Sequence, residues 1–129
     1  AARFPAASKI INDDCRYQQL QAQAGDFVII ATHHKGDYDS LTQALSSEAA
    51  YIALVSSRKR AKLVLDRLAQ EGFSEQGLAK VRAPAGLDLA AKLPEEIALS
   101  IIAEMVSIRR GGSGKPLSAM PSACAVASA

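Results

Sequence analysis

Two hydroxyls and three cations, Ser56-Ser57-Arg58-Lys59-Arg60, stand where an apolar run at residues 51–55 stops and helical spacing begins. A strand giving way to a helix leaves unpaired backbone N–H groups at the helix start, where the helix dipole also favours negative charge. Ser56, Ser57 and Arg58 at that junction suit a phosphate or pyrophosphate, with Lys59 as supporting charge. The same residues also suit an ordinary helix, with a serine as N-cap and the basic side chains in water. Both readings stand on local pattern.

A second candidate is "THHKGDYD", residues 32–39. His33 and His34 are potential metal ligands or proton carriers. Adjacent residues of an extended segment point to opposite sides, so at most one of them enters a cleft. No Cys, His or carboxylate follows at metal-ligand spacing, and no protein-held metal is expected. Asp37 and Asp39 serve most simply as caps of the helix that follows. In "RAPAGLDL", residues 82–89, Gly86 and Asp88 lie between apolar residues. They belong either to a functional loop or to a tight connection in which Gly86 takes a positive φ and Asp88 binds backbone amides. Ser100 and Glu104, four apart on a mostly apolar helix, either touch a ligand or partner or mark the edge of the apolar stripe. Cys15 and Cys124 are far apart and read as unpaired thiols. No nucleophile elbow or Ser-His-Asp order is present, no catalytic residue is assigned, and nothing demands an enzyme.

The elements that must position these residues follow from hydrophobic spacing. Residues 8–12 read as a short strand and 13–24 as a helix capped by Asp13 or Asp14 and ended by Gly25. Residues 26–32, "DFVIIAT", and 51–55, "YIALV", are near-continuous apolar runs, the pattern of strands buried on both faces of a parallel sheet. Helices are expected from about Asp37 to Ser47, with Leu41, Ala44 and Leu45 inward, and over 58–71, with Leu63, Leu65, Leu68 and Ala69 inward. Residues 74–81 read as a helical turn and 82–93 as a loop. Pro94, followed by Glu95 and Glu96, opens a helix that runs to Arg110, with Ile97, Ala98, Ile101, Ile102, Met105 and Ile108 on its apolar side. Residues 1–110 form the domain, and 111–129, rich in Gly, Ser, Ala and Pro, read as a flexible tail. Alternation of strand and helix argues for an α/β fold with a mostly parallel sheet.

Bulk properties exclude several classes. The chain has 129 residues, enough for a packed core, and 49% of them are hydrophobic. A net charge of +2, three Tyr, three Phe and no Trp do not fit a nucleic-acid surface. No apolar run approaches the roughly 20 residues of a membrane span. With no signal-peptide pattern at "AARFPAASKI", a reducing cytoplasm is the simplest setting.

Three stretches, "ATHHKGDYDSLTQAL", "YIALVSSRKRAKLVLDRLAQEGF" and "VRAPAGLDLAAKLPEEIALSIIAEMVSIRRG", together resemble the C-terminal domain of the XdhC/CoxI family, accessory proteins of xanthine dehydrogenase and carbon monoxide dehydrogenase. The match runs from about residue 3 to 112. The resemblance implies a Rossmann-like three-layer domain, here without its first strand–Gly-rich turn–helix unit, since no G-x-G-x-x-G occurs. It implies a chaperone that binds the molybdenum cofactor (molybdopterin) and presents it to a cysteine desulfurase for sulfuration. The chaperone then delivers the cofactor to the apoenzyme of a molybdenum hydroxylase. Dimers are typical. The cofactor carries a phosphate, so the resemblance favours the phosphate reading of Ser56, Ser57, Arg58 and Lys59. His33 and Asp37 would line the cleft, and Gly86 and Asp88 would shape it. The sequence departs from the family pattern at Ala90, where Gly is expected, and at Leu93, where a Thr cap is expected. Two rival classes remain: an NAD(P)-binding oxidoreductase domain, and a docking module acting through the apolar side of the last helix. A sheet lacking its first strand leaves an edge uncovered, which favours self-association.

Overall fold

The structure is a computed structural model, and it describes residues 3–11, 17–33 and 35–121. Asp13, Asp14, Cys15, His34 and Cys124 lie outside the described residues. The chain divides into two compact units, Ala1–Pro84 and Ala85–Ala129.

The first unit is a three-stranded parallel sheet with helices between its strands. β1 (Phe27–Ile30), α1 (Asp37–Leu45), β2 (Tyr51–Leu54), α2 (Arg58–Gln70), α3 (Glu75–Leu78) and β3 (Val81–Arg82) follow in that order. The strand order is β1-β2-β3. Val28 pairs with Ile52 and Ile30 with Leu54, while Ile52 pairs with Val81. All four residues of β2 are buried, as expected for the central strand of a parallel sheet. β1 departs from the expected two-sided burial. It occupies a sheet edge, and Ile29 is 44% exposed while Val28 and Ile30 are buried.

Both long helices of this unit lay an apolar stripe on the sheet. Leu41 and Ala44 of α1 are buried. On α2 the inward residues are Ala61, Val64 and Leu68, at i, i+3 and i+7. Leu63 and Ala69, expected inward, point to solvent, because a 3.6-residue period cannot bring them onto the stripe that contains Val64 and Leu68. Each fully buried Leu or Ile contributes roughly 1.5–3 kcal/mol. Arg67 of α2 lies over the Tyr38 ring of α1 at 3.7 Å and ties the two helices side by side.

Other local readings change. Residues 8–11 and 17–24 form neither strand nor helix. Instead Leu20 and Ala22 present carbonyls to Gln43 Nε2 at 3.4 Å and to the Glu48 N–H at 3.2 Å. β3 has no signature of its own in the sequence, because it is two residues long and exists only through its pairing with β2.

Among its described residues the second unit holds α4 (Pro94–Arg110) and a 3₁₀ turn, Leu117–Ala119. α4 spans the residues its periodicity marks. Gly111, with φ of 76°, supplies the left-handed C-terminal residue. No helix among the described residues is long and apolar enough to cross a membrane.

Candidate functional site

The carboxyl ends of β1 and β2 are neighbours in a parallel sheet, so the starts of α1 and α2 open side by side. In open α/β sheets this is where ligands bind.

At the start of α2, Ser57 is the N-cap, and its Oγ accepts from the Arg60 N–H at 3.1 Å. The capping reading of the serine pair therefore holds for Ser57. Ser56 behaves differently. Its hydroxyl oxygen is buried and finds no hydrogen-bond partner among the described residues. Buried hydroxyls are nearly always bonded, so a water or a ligand atom would complete the Ser56 hydroxyl. Arg58 and Lys59 are exposed and form no ion pair with a described acidic residue. The first turn of α2 contains no acidic residue at all.

Arg60, the third cation, turns the other way. Its Nε meets Asp37 Oδ2 at 3.2 Å. Asp37 is fully buried at the first position of α1, where Thr32 Oγ1 also donates to its carboxylate. Neither Asp37 nor Asp39 caps α1. The N-cap is Gly36, which has no side chain to offer. A Cβ at Gly36 would collide with the Tyr17 hydroxyl unless that side chain shifted. Asp37 thus serves as an internal anion at the start of α1, compensating the helix dipole and pairing with Arg60. His33 is exposed. Thr32 also ends a cleft of about 420 Å³ that runs along β1, walled by Tyr17, Leu20, Val28 and Ile30.

Gly86 and Asp88 belong to the second unit. Gly86 has φ of 107°, and its N–H donates to Glu104 Oε1 at 3.2 Å. A Cβ there would collide with Ser100 Oγ, which itself donates to the Ile97 carbonyl at 2.7 Å. The Leu87 N–H bonds the Ser100 carbonyl. Ser100 and Glu104 therefore fasten the 85–93 loop to α4. Asp88 Oδ1 accepts from the Ala90 N–H at 3.2 Å, and Ala90 sits at φ of 52°, in the left-handed region that favours glycine. Leu93 is the N-cap of α4, and its side chain cannot accept a hydrogen bond. Glu96 compensates by reaching back, with Oε1 accepting from the N–H groups of Leu93 at 2.9 Å and Lys92 at 3.0 Å. These two bonds, the one to Leu93 first, hold the Glu96 carboxyl below its ordinary 4.5.

The structure therefore brings Ser56, Ser57, Arg58, Lys59 and Asp37 to one end of the sheet in the first unit. Two residues given no site role in the sequence, Arg60 and Thr32, complete the Asp37 cluster. No local signal marks Arg60, because its pair with Asp37 forms only once the two helix starts are adjacent.

Residues 1–105 match the model of the XdhC Rossmann domain. The chain belongs to that family. It is 28% identical over 114 residues to the uncharacterised protein YqeB of Escherichia coli, covering 86% of this chain and 21% of that one. It is 29% identical over 110 residues to a probable xanthine dehydrogenase subunit of Bacillus subtilis, covering 83% of this chain and 31% of that one. A solved structure of a xanthine dehydrogenase from Bacillus halodurans superposes with a TM-score of 0.68 at 29% identity, over 91% of this chain and 33% of that one. This XdhC-type domain thus spans about a fifth to a third of the length of these relatives. The fold is the Rossmann-like α/β domain expected from the resemblance.

Proposed function

We propose that this domain serves a molybdenum hydroxylase of the xanthine dehydrogenase type by holding the molybdenum cofactor as cargo. It would grip the cofactor phosphate at the start of α2. Ser56 Oγ and the backbone N–H groups of the first helical turn would donate to the phosphate oxygens, with Arg58 and Lys59 supplying positive charge. The cleft along β1 offers an apolar wall for a flat pterin. Such a holder would keep the cofactor available for oxo-to-sulfido exchange by a cysteine desulfurase and release it to the apoenzyme. Support comes from family membership and from two relatives named for xanthine dehydrogenase. The observation that carries the reading is the buried Ser56 hydroxyl, without a partner among the described residues, at a helix start whose first turn holds no acidic residue.

Titration with purified molybdenum cofactor, followed by co-elution on gel filtration, tests it. Arg58→Glu should abolish co-elution and leave the melting temperature equal or slightly higher, since Arg58 is exposed at the first position of α2, where an anion suits the helix dipole. Ser56→Ala is the sharper variant. Removing an unsatisfied buried hydroxyl should leave stability equal or higher, while a lost hydrogen bond to a charged ligand should weaken binding about tenfold or more. Unchanged affinity in both variants would reject a phosphate site at α2.

A further inference from the structure

We infer that the cleft along β1 selects its ligand by hydrogen-bond polarity. It takes a flat heteroaromatic ring that presents two neighbouring N–H donors, and Thr32 and Ser40 are the residues that read them. The inference rests on the reading of this cleft as the seat of the cofactor ring, and it adds which edge of the ring enters. The cleft, about 420 Å³ in volume, lies in the size range of small-molecule pockets, roughly 300–1,000 Å³. Leu20, Val28 and Ile30 give it an apolar wall. Two hydroxyls line it near the carboxyl end of β1, Thr32 from just beyond the strand and Ser40 from α1. Ser40 is 3% exposed, so its oxygen is sheltered from bulk water.

A hydroxyl has one proton to give and two lone pairs to offer. Both protons are already committed. Thr32 Oγ1 donates to Asp37 Oδ1, and the Asp37 carboxylate, paired with Arg60, only accepts. Ser40 Oγ donates to the Gly36 carbonyl one turn back, with the Asp37 carbonyl at 3.2 Å sharing the same proton. Both oxygens therefore present lone pairs to the cleft. They are anchored on two consecutive residues, Gly36 and Asp37, and stand beside an apolar wall. A ring carbonyl or unprotonated ring nitrogen brought against them would set lone pair against lone pair and lose its water for nothing in return. An exocyclic amino group next to a ring N–H, as on an aminopyrimidinone ring, meets each oxygen with one proton. A carboxylate or phosphate is rejected by the same logic. That separates this seat from the start of α2, where backbone N–H groups and cations converge on an anion.

Two fluorescent rings of the same shape test it: pterin, and lumazine, in which the amino donor of pterin is replaced by a carbonyl acceptor. Anisotropy titrations of the wild-type chain should give an affinity for pterin about tenfold or more above that for lumazine. Ser40→Ala and Thr32→Val each remove one acceptor and should bring the two affinities to within about threefold of each other. Thr32→Ser keeps the hydroxyl and should keep the preference. The ratio of the two affinities does not depend on the folded fraction, so a destabilised variant still reports, and circular dichroism measures how much of it is folded. Lumazine bound as tightly as pterin would overturn the inference. So would a preference that survives both Ser40→Ala and Thr32→Val, or a folded wild-type chain that binds neither ring up to the solubility of the two compounds. Neither ring carries a phosphate. A failure here therefore leaves the phosphate site at α2 standing, and a failed cofactor titration beside a clear pterin preference would reject the α2 site while supporting this seat.

Discussion

α1 and α2 begin side by side at the same end of the sheet, and they meet the electrostatic demand of a helix start in opposite ways. α1 carries its own anion, since Asp37 is buried at its first position and bonded by Thr32 and Arg60. α2 has a serine cap, three consecutive cations and no carboxylate in its first turn. Cations at a helix start are mildly unfavourable by themselves. Of the two starts, α1 has an internal anion and α2 has none in its first turn. Local rules are broken most often where function requires it. Arg60 joins the two starts, so the closed one also helps to define the open one.

The largest effect is expected from emptying the closed start. Asp37→Ala removes the carboxylate that Arg60 Nε and Thr32 Oγ1 bond, and removing one member of a buried pair is strongly destabilising. Arg60 retains some solvent contact, so a loss of about 3 kcal/mol is expected, at the lower end of the range for such pairs. Urea denaturation with an unchanged m-value measures it. A loss below about 1 kcal/mol, the size of an exposed pair, would mean that α1 does not depend on an internal anion and that the contrast with α2 is empty.

A smaller effect separates the two serines of the open start. Ser57→Ala removes the Oγ that accepts from the Arg60 N–H and should lower stability by about 1 kcal/mol. Ser56→Ala, with no bond to a described residue to lose, should not. Equal effects of the two substitutions on the urea midpoint would show that the serines share one structural role, and the orphan hydroxyl would then mark nothing.

Much of this arrangement was legible in the sequence, and the illegible parts have a common cause. The runs "FVII" and "YIAL" and the helices α1, α2 and α4 are local patterns and formed where their spacing placed them, although Leu63 and Ala69 of α2 and Ala98, Ile102 and Ile108 of α4 are exposed. The resemblance also flagged Ala90 and Leu93, and the structure shows why those positions matter. Ala90 holds a glycine conformation, and Leu93 holds a cap position it cannot fill. What could not be read depends on neighbours distant in sequence. β3 exists through its pairing with β2, and the exposure of Ile29 follows from the edge position of β1. The Arg60–Asp37 pair requires two helix starts to become adjacent, which no window of residues 30–60 reveals. Ser56 looked like half of a serine pair, and only the geometry separates its hydroxyl from that of Ser57.

α4 offers a third way to begin a helix, and it yields the smallest prediction. Its N-cap is a leucine, and the exposed Glu96 carboxylate reaches back to two backbone N–H groups from within the first turn. These bonds favour the charged form, so the folded carboxyl titrates below its ordinary 4.5. The sign follows from linkage. A lowered pKa contributes stability that is fully present above 4.5 and is lost as pH falls through the folded value. Glu96→Gln keeps an acceptor oxygen at the same place and removes the titration. Urea midpoints measured at neutral pH and again below 4.5 should therefore converge for the wild type and the variant as the medium becomes acid. The gap at neutral pH should be smaller than the effect of Ser57→Ala, because Glu96 is solvent-exposed. A gap that persists unchanged into acid would assign the bonds to the shape of the side chain.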